Sequence, residues 1–187
     1  GLEFGMQVHT IPQFESLFGR YPFDFIILSV HQVEDKEFWT QDFQKGKTQK
    51  EYNRRYYEEM LNLVRHYKNY SVLGHMDLIV RYDKNGVYPF QKIKPYVEEI
   101  LKQVIQDGKG IEVNTSSHRY GLADTTPSQD ILRLYYQLGG RVITIGSDSH
   151  KPEHLGAYIK ETKELLKSIG FAQFCTYEKM KPIFHNL

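Results

Sequence analysis

The stretch Ile143-Thr-Ile-Gly-Ser-Asp-Ser-His150, running on through Lys151-Pro-Glu-His-Leu-Gly156, reads as a buried strand that stops at Gly146 and passes at once to polar side chains. β-Branched residues crowd Val142 to Ile145, as a pleated, buried segment requires. Asp148 and His150 then follow two residues apart. Taken alone, the Asp-Ser-His run is as well explained by helix capping, because a short oxygen-bearing side chain ahead of Lys151-Pro152 satisfies free amides. Its meaning depends on what stands at the ends of the other strands.

Working outward, similar short apolar runs occur at Phe25–Val30, Ser71–Gly74 and Gly110–Asn114, with a weaker one at Phe171–Cys175. Helical patterns lie between them. Tyr56, Met60, Val64 and Tyr67 recur at near-helical spacing, as do Val97, Ile100, Leu101 and Val104, whose helix stops before Gly108. A third helix is expected to open with Thr126-Pro127-Ser128-Gln129 as a capping box with Pro at the first helical position. It buries Ile131, Leu134, Tyr135 and Leu138 and ends at Gly139-Gly140. A fourth carries Ile159, Leu165, Leu166 and Ile169 before Gly170. Strands alternating with helices imply an α/β fold with a mainly parallel sheet, either a barrel or open and doubly wound. With no linker, repeat or low-complexity segment, residues 1–187 read as one domain.

The chemistry-bearing residues fall at one end of these strands. Glu3 lies in Gly-Leu-Glu-Phe-Gly, and His31 follows the strand at 25–30. His75 and Asp77 follow 71–74, Asn114 closes 110–114, and Asp148 and His150 close the last. In parallel α/β folds the carboxyl ends of the strands form the face where ligands bind. Three histidines and two carboxylates (Glu3, His31, His75, Asp148, His150) without a thiolate suit zinc, manganese or iron, and neutral imidazole with a bridging carboxylate can hold more than one ion. Arg119, beside His118 in a polar loop leaving the same face, has the forked geometry to grip a phosphate; an ordinary surface arginine is the plain alternative. His9, His66 and His185 read as solvated or structural, and the basic run Lys45, Lys47, Lys50, Arg54 and Arg55 as a solvated loop and helix start.

Bulk properties narrow the classes of partner. A 40% hydrophobic and 25% charged composition belongs to a folding globular chain, and a net charge of +1 supplies no electrostatic footprint for nucleic acid or an anionic membrane. The single Cys175 excludes a disulfide framework and fits a reducing, cytoplasmic setting. No apolar run is long enough to span a bilayer. Most of the 14 tyrosines read as packing residues rather than a base-stacking platform.

Together, Gly-Leu-Glu3-Phe-Gly, Phe25-Ile-Ile-Leu-Ser-Val-His31, Gly74-His-Met-Asp77, Glu112-Val-Asn-Thr-Ser116 and Gly146-Ser-Asp-Ser-His150 resemble the PHP (polymerase and histidinol phosphatase) family, most closely its histidinol-phosphate phosphatase branch. The resemblance covers nearly the whole chain. It implies a distorted (β/α)7-type barrel with a trinuclear metal centre and metal-assisted hydrolysis of a small phosphomonoester, L-histidinol phosphate, in histidine biosynthesis. By the same resemblance, Glu3 is the bridging carboxylate, His31 and His75 ligate one ion it bridges, and Asp148 and His150 serve the others. Catalytic duty falls to Asp148, His150 and Arg119; Arg119 contacts the phosphate, and Asn114 and His118 line the pocket. The family also uses a His-x-His pair and two further histidines upstream of the bridging Glu, whereas only Gly1 and Leu2 precede Glu3 here. The expectation is therefore a C-terminal portion lacking the first two βα units, of low activity alone, with an exposed Leu2–Phe4 edge able to pair with a second copy. The competing expectations are a PHP-type nuclease and a non-catalytic remnant.

Overall fold

The computed structural model describes residues 1–187. In chain order the elements are β1 (Leu2–Gly5), α1 (Ile11–Phe18), β2 (Ile26–Ser29), the short pair β3 (Gln32–Val33) and β4 (Lys36–Glu37), α2 (Gln49–His66), β5 (Val72–Leu73), α3 (Phe90–Gln106), β6 (Gly110–Asn114), α4 (Gln129–Gln137), β7 (Ile143–Gly146), α5 (Ile159–Ile169), β8 (Gln173–Glu178) and β9 (Lys181–Asn186). Five of the strands form one sheet in the order β1-β2-β5-β6-β7, and every neighbouring pair is parallel. The order follows the chain without reversal. A doubly wound sheet reverses at a switch point, and this one does not. The sheet is open, with β1 and β7 as its two edges.

The helices form for local reasons and are held by packing. Thr48 and Glu51 make a reciprocal capping box at the start of α2, which turns Tyr56, Met60 and Val64 into the core. Helix α3 ends at Gln106 with Asp107 as its C-cap, and Gly108 takes the left-handed conformation (φ +67°) that stops it where the sequence pattern stops. A contiguous apolar cluster of 35 buried residues joins the sheet to its helices. With the backbone anchored by that core, the strand ends become a fixed platform.

Two sequence expectations need correction. The weak strand at Phe171–Cys175 does not extend the parallel series: β8 starts at Gln173 and pairs antiparallel with β9 in a separate two-stranded sheet. The cause lies at Lys179-Met180, where both residues have positive φ (49° and 62°), the backbone of a tight two-residue hairpin turn. This hairpin lies across the starts of β2 and β5. Met180 N donates to Asp24 O at 2.9 Å, Tyr177 Oη donates to Ser71 O at 3.2 Å, and the Tyr177 ring packs on Phe25.

The second correction concerns α4. Pro127 precedes the helix, Ser128 is its N-cap without a side-chain capping bond, and Thr126 Oγ1 donates instead to Asn114 O. The free amides are satisfied from elsewhere: Ser128 N donates to Asp77 Oδ2 at 2.8 Å and Gln129 N to Asp124 Oδ2 at 3.0 Å. A carboxylate from a distant turn thus replaces the local capping box, and its negative charge is favoured at a helix N-terminus.

Candidate metal centre

Parallel pairing sets Glu3 of β1 beside Ile27 of β2, with the ends of β2 and β5 next in line. Side chains from three strand ends meet there. His75 Nε2 lies 2.7 Å from Glu3 Oε1, His31 Nε2 lies 3.2 Å from the same oxygen, and the two imidazole nitrogens are 3.3 Å apart. Ser29 Oγ donates to Glu3 Oε1 at 2.7 Å and fixes the carboxylate's rotamer. His75 is buried, while Glu3 and His31 are about a third exposed, so the cluster opens to solvent on one side.

This geometry suits a divalent cation. A tetrahedral zinc ion with bonds of about 2.0–2.1 Å separates its nitrogen and oxygen donors by about 3.3–3.4 Å, close to the longer two edges here. Without an ion, each imidazole can turn an Nε2–H toward the one carboxylate oxygen, but the two nitrogens then face each other at 3.3 Å. A cation satisfies all three at once. Burial alone raises the Glu3 carboxyl, but hydrogen bonds from His31, His75 and Ser29 outweigh it and hold Glu3 well below the usual carboxylate range. Burial disfavours charge on His75 as well, yet the bond to Glu3 and the nearby charges of Glu112 and Glu3 raise it.

Behind the cluster lies a residue whose burial the sequence pattern did not show. Glu112, in the middle of β6, is 5% exposed, and its Oε2 accepts from His75 N at 3.3 Å. Burial pushes its carboxyl up; His75 pulls it down, and Glu3 and Asp148 add to the rise. The carboxylate fits because β7 carries Gly146: a Cβ there would stand 2.3 Å from Glu112 Oε1. Glycine here ends the strand and also admits the acid between sheet neighbours.

Asp148 and His150 do not join the three-residue cluster, which holds only Glu3, His31 and His75. After Gly146 the backbone turns, and Asp148 adopts a left-handed φ of 49°. Its carboxylate meets Ser116 Oγ at 3.1 Å and Arg81 Nη1 at 3.8 Å. His150 is mostly exposed, with Nδ1 2.9 Å from Asp148 O. Arg119 reaches the same loop: Nη1 donates to Ser147 O and Nη2 to Asp148 O, each at 2.8 Å. Its fork therefore clamps backbone carbonyls and holds Asp148 in its turned conformation.

The other expected pocket residues have internal roles. Asn114 Oδ1 accepts from Ser116 N and caps the 3-10 turn Thr115–Tyr120, and the His118 ring packs on Tyr158 with centroids 4.5 Å apart. Within the basic run, Arg54 is paired with Glu58 and Arg55 with Glu34 and Glu59. Arg81 had no signal in the sequence. Its guanidinium is almost buried, donates to Ser116 Oγ at 2.6 Å, stacks on Tyr120, and keeps Nε without a partner. A buried arginine beside an acid only partly compensated is a ready anion contact. No helix is long and apolar enough to cross a membrane.

A parallel α/β scaffold presenting two histidines and a carboxylate at its strand ends, next to the buried guanidinium of Arg81, defines the class of metal-dependent hydrolases. Comparison with known proteins is narrower. The model of the PHP domain matches residues 1–116, and the chain belongs to that family. The histidinol-phosphatase of Lactococcus lactis subsp. lactis (strain IL1403) is 31% identical over 191 residues, covering 97% of this chain and 68% of that protein. A crystal structure of histidinol phosphate phosphatase from the same organism, complexed with Zn, L-histidinol and phosphate, superposes with a TM-score of 0.82 at 30% identity, covering 98% of this chain and 70% of that one. A Listeria monocytogenes structure agrees in fold, with a TM-score of 0.74 at 18% identity over 86% of this chain and 66% of its own.

Proposed function

We propose that this chain, as one metallophosphatase domain over residues 1–187, hydrolyses L-histidinol phosphate to L-histidinol and phosphate with the help of two or three divalent ions, zinc first among them. The observation that carries the reading is the convergence of Glu3 Oε1, His31 Nε2 and His75 Nε2 at the strand ends. Its relation to a phosphatase solved with Zn, L-histidinol and phosphate supports the substrate. The open, sequentially wound sheet supports a wall of a distorted seven-stranded barrel.

Bound divalent ions supply charge neutralisation at the phosphoryl oxygens and acidify water toward neutral pH. The chain's own groups do the rest. Glu3, His31 and His75 would hold the first ion, and Asp148 and His150 would hold further ions. Arg81, whose Nη atoms reach Ser116 and Asp148, would supply positive charge beside the phosphoryl group, and Arg119 holds the Ser147–Asp148 carbonyls so that Asp148 stays aimed. Glu112 fixes His75 from behind through its backbone amide.

The test is phosphate release from L-histidinol phosphate by the purified chain with added Zn2+ or Mn2+. Metal-dependent release, abolished by Glu3→Gln, is expected. Release of nucleotides from single-stranded DNA with no action on L-histidinol phosphate would overturn it.

A further inference from the structure

The 3-10 turn Leu78–Tyr82 links the two parts of the site: it follows the cluster histidine His75 closely and carries Arg81 near its far end. Its approach is fixed from several sides. His75 N donates to Glu112, Ser128 N donates to Asp77 at 2.8 Å, and Tyr56 Oη donates to Met76 O at 3.3 Å. Inside the turn the backbone contributes less. Val80 N bonds Asp77 O at 3.0 Å, and Asp83 N reaches Val80 O at a long 3.4 Å. Hydrogen-bond geometry in a 3-10 turn is poor, so its far end is held in place by outside partners.

Gln41, in the loop between β4 and α2, is the foremost of these partners. Its Nε2 donates to Tyr82 O at 2.8 Å and to Phe38 O at 2.9 Å. One amide thus ties the carbonyl of the residue after Arg81 to a segment anchored by the fully buried Phe38 ring. Gln44 adds longer contacts to the same two carbonyls, at 3.2 Å to Phe38 O and 3.5 Å to Tyr82 O. The Gln41 backbone is left-handed (φ 70°), a conformation that residues with a Cβ rarely adopt. Such a torsion persists where the surroundings dictate it, and here it accompanies an amide placed between carbonyls of two separate loops. The other end of Arg81 is held elsewhere, by Ser116 Oγ at 2.6 Å and by stacking on Tyr120 with the guanidinium 4.1 Å from the ring centre.

We propose that Gln41 is a positioning residue for phosphoester hydrolysis: by holding the Tyr82 carbonyl it fixes the root of Arg81, and so the place of the guanidinium relative to His75. It touches neither the metal cluster nor the phosphoryl group. The proposal rests on the reading of Arg81 as the positive charge beside that group.

A double-mutant cycle in the whole chain with added Zn2+ tests it, combining Gln41→Gly with Arg81→Ala and reading kcat/KM for L-histidinol phosphate. Glycine suits φ 70°, so this variant removes the amide without straining the backbone, and its fold is checked by circular dichroism. Gln41→Gly alone should lower kcat/KM by about tenfold or more, the cost of a misplaced charge, yet by less than about twofold in the Arg81→Ala background, where no guanidinium is left to misplace. Gln41→Glu, of equal size but with no N–H to donate, should lose as much as Gln41→Gly. A second readout requires no turnover: the Arg81 Nε–H signal in a nitrogen–proton NMR spectrum should shift or broaden in Gln41→Gly. Equal losses with and without Arg81, wild-type kcat/KM in Gln41→Glu, or an unmoved Arg81 signal would each overturn the proposal. Absence of phosphate release by the wild type would refute the phosphatase reading itself, and the Arg81 signal would still report whether Gln41 holds the guanidinium.

Discussion

Replacing Gly5 by alanine should cripple the metal centre while leaving the fold standing. Gly5 ends β1 two residues beyond Glu3, and a Cβ built on it lies 2.6 Å from His31 Nδ1, about 0.8 Å inside the 3.4 Å at which ordinary contact begins. The imidazole must give way, since the β1 backbone is tied to β2 by parallel pairing. A shift of that size exceeds the roughly 0.5 Å tolerance within which a ligand set functions. His31 Nε2 would then leave its 3.2 Å position beside Glu3 Oε1. Loss of one well-placed ligand contact is expected to weaken zinc by about 10- to 100-fold, the scale on which misoriented ligands act. Stability should change far less, because His31 is a third exposed and can swing outward, and alanine in a strand end costs nothing relative to glycine. Zinc affinity is read by competition with a chromogenic chelator, and stability by thermal unfolding of the metal-free protein. If Gly5→Ala keeps the wild-type zinc affinity at an unchanged melting temperature, His31 is not a ligand and the site has been misread.

Two further outcomes are expected. Arg119→Lys should not rescue Arg119→Ala, because a lysine cannot hold both Ser147 O and Asp148 O; both variants should lose about tenfold or more in kcat/KM for L-histidinol phosphate, and wild-type activity in the lysine variant refutes the clamp. The metal-free Glu3–His75 pair should stabilise the fold only within a pH window. Glu3 is held below its ordinary 4.5, so its contribution is present above about pH 4.5 and fades on acidification below that; His75 is raised above 6.5, so its contribution is full below about pH 6.5 and fades as pH climbs through the raised value. The difference in melting temperature between wild type and Glu3→Gln, followed from pH 3 to 9, should peak between these limits, and a flat difference would remove the pair from the account.

Much of the scaffold was legible beforehand for a local reason. Periodicity records which face of a segment is apolar, and that located four of the five sheet strands and the helices α2 to α5, though neither α1 nor the starts of α2 and α3. It failed at Phe171–Cys175, because a short apolar run does not say which partner it pairs with. It also failed at Thr126-Pro127, where a local capping pattern lost to Asp77 and Asp124, acids that only the folded chain brings to α4. Glu112 and Arg81 escaped for the same reason. A glutamate inside a strand and an arginine in a turn look like surface residues until the neighbours that bury them are known.

By itself, the amino-acid order determined that this is a parallel α/β protein with Glu3, His31, His75, Asp148 and His150 gathered at one end of its strands, since strand ends and their polar punctuation are properties of contiguous residues. Tertiary structure alone decided which of them touch. Glu3 on β1 and His31 and His75, each two residues past the ends of β2 and β5, converge to 2.7–3.3 Å. Asp148 and His150 stand past a left-handed turn clamped by Arg119, where backbone torsion rather than strand register directs each side chain.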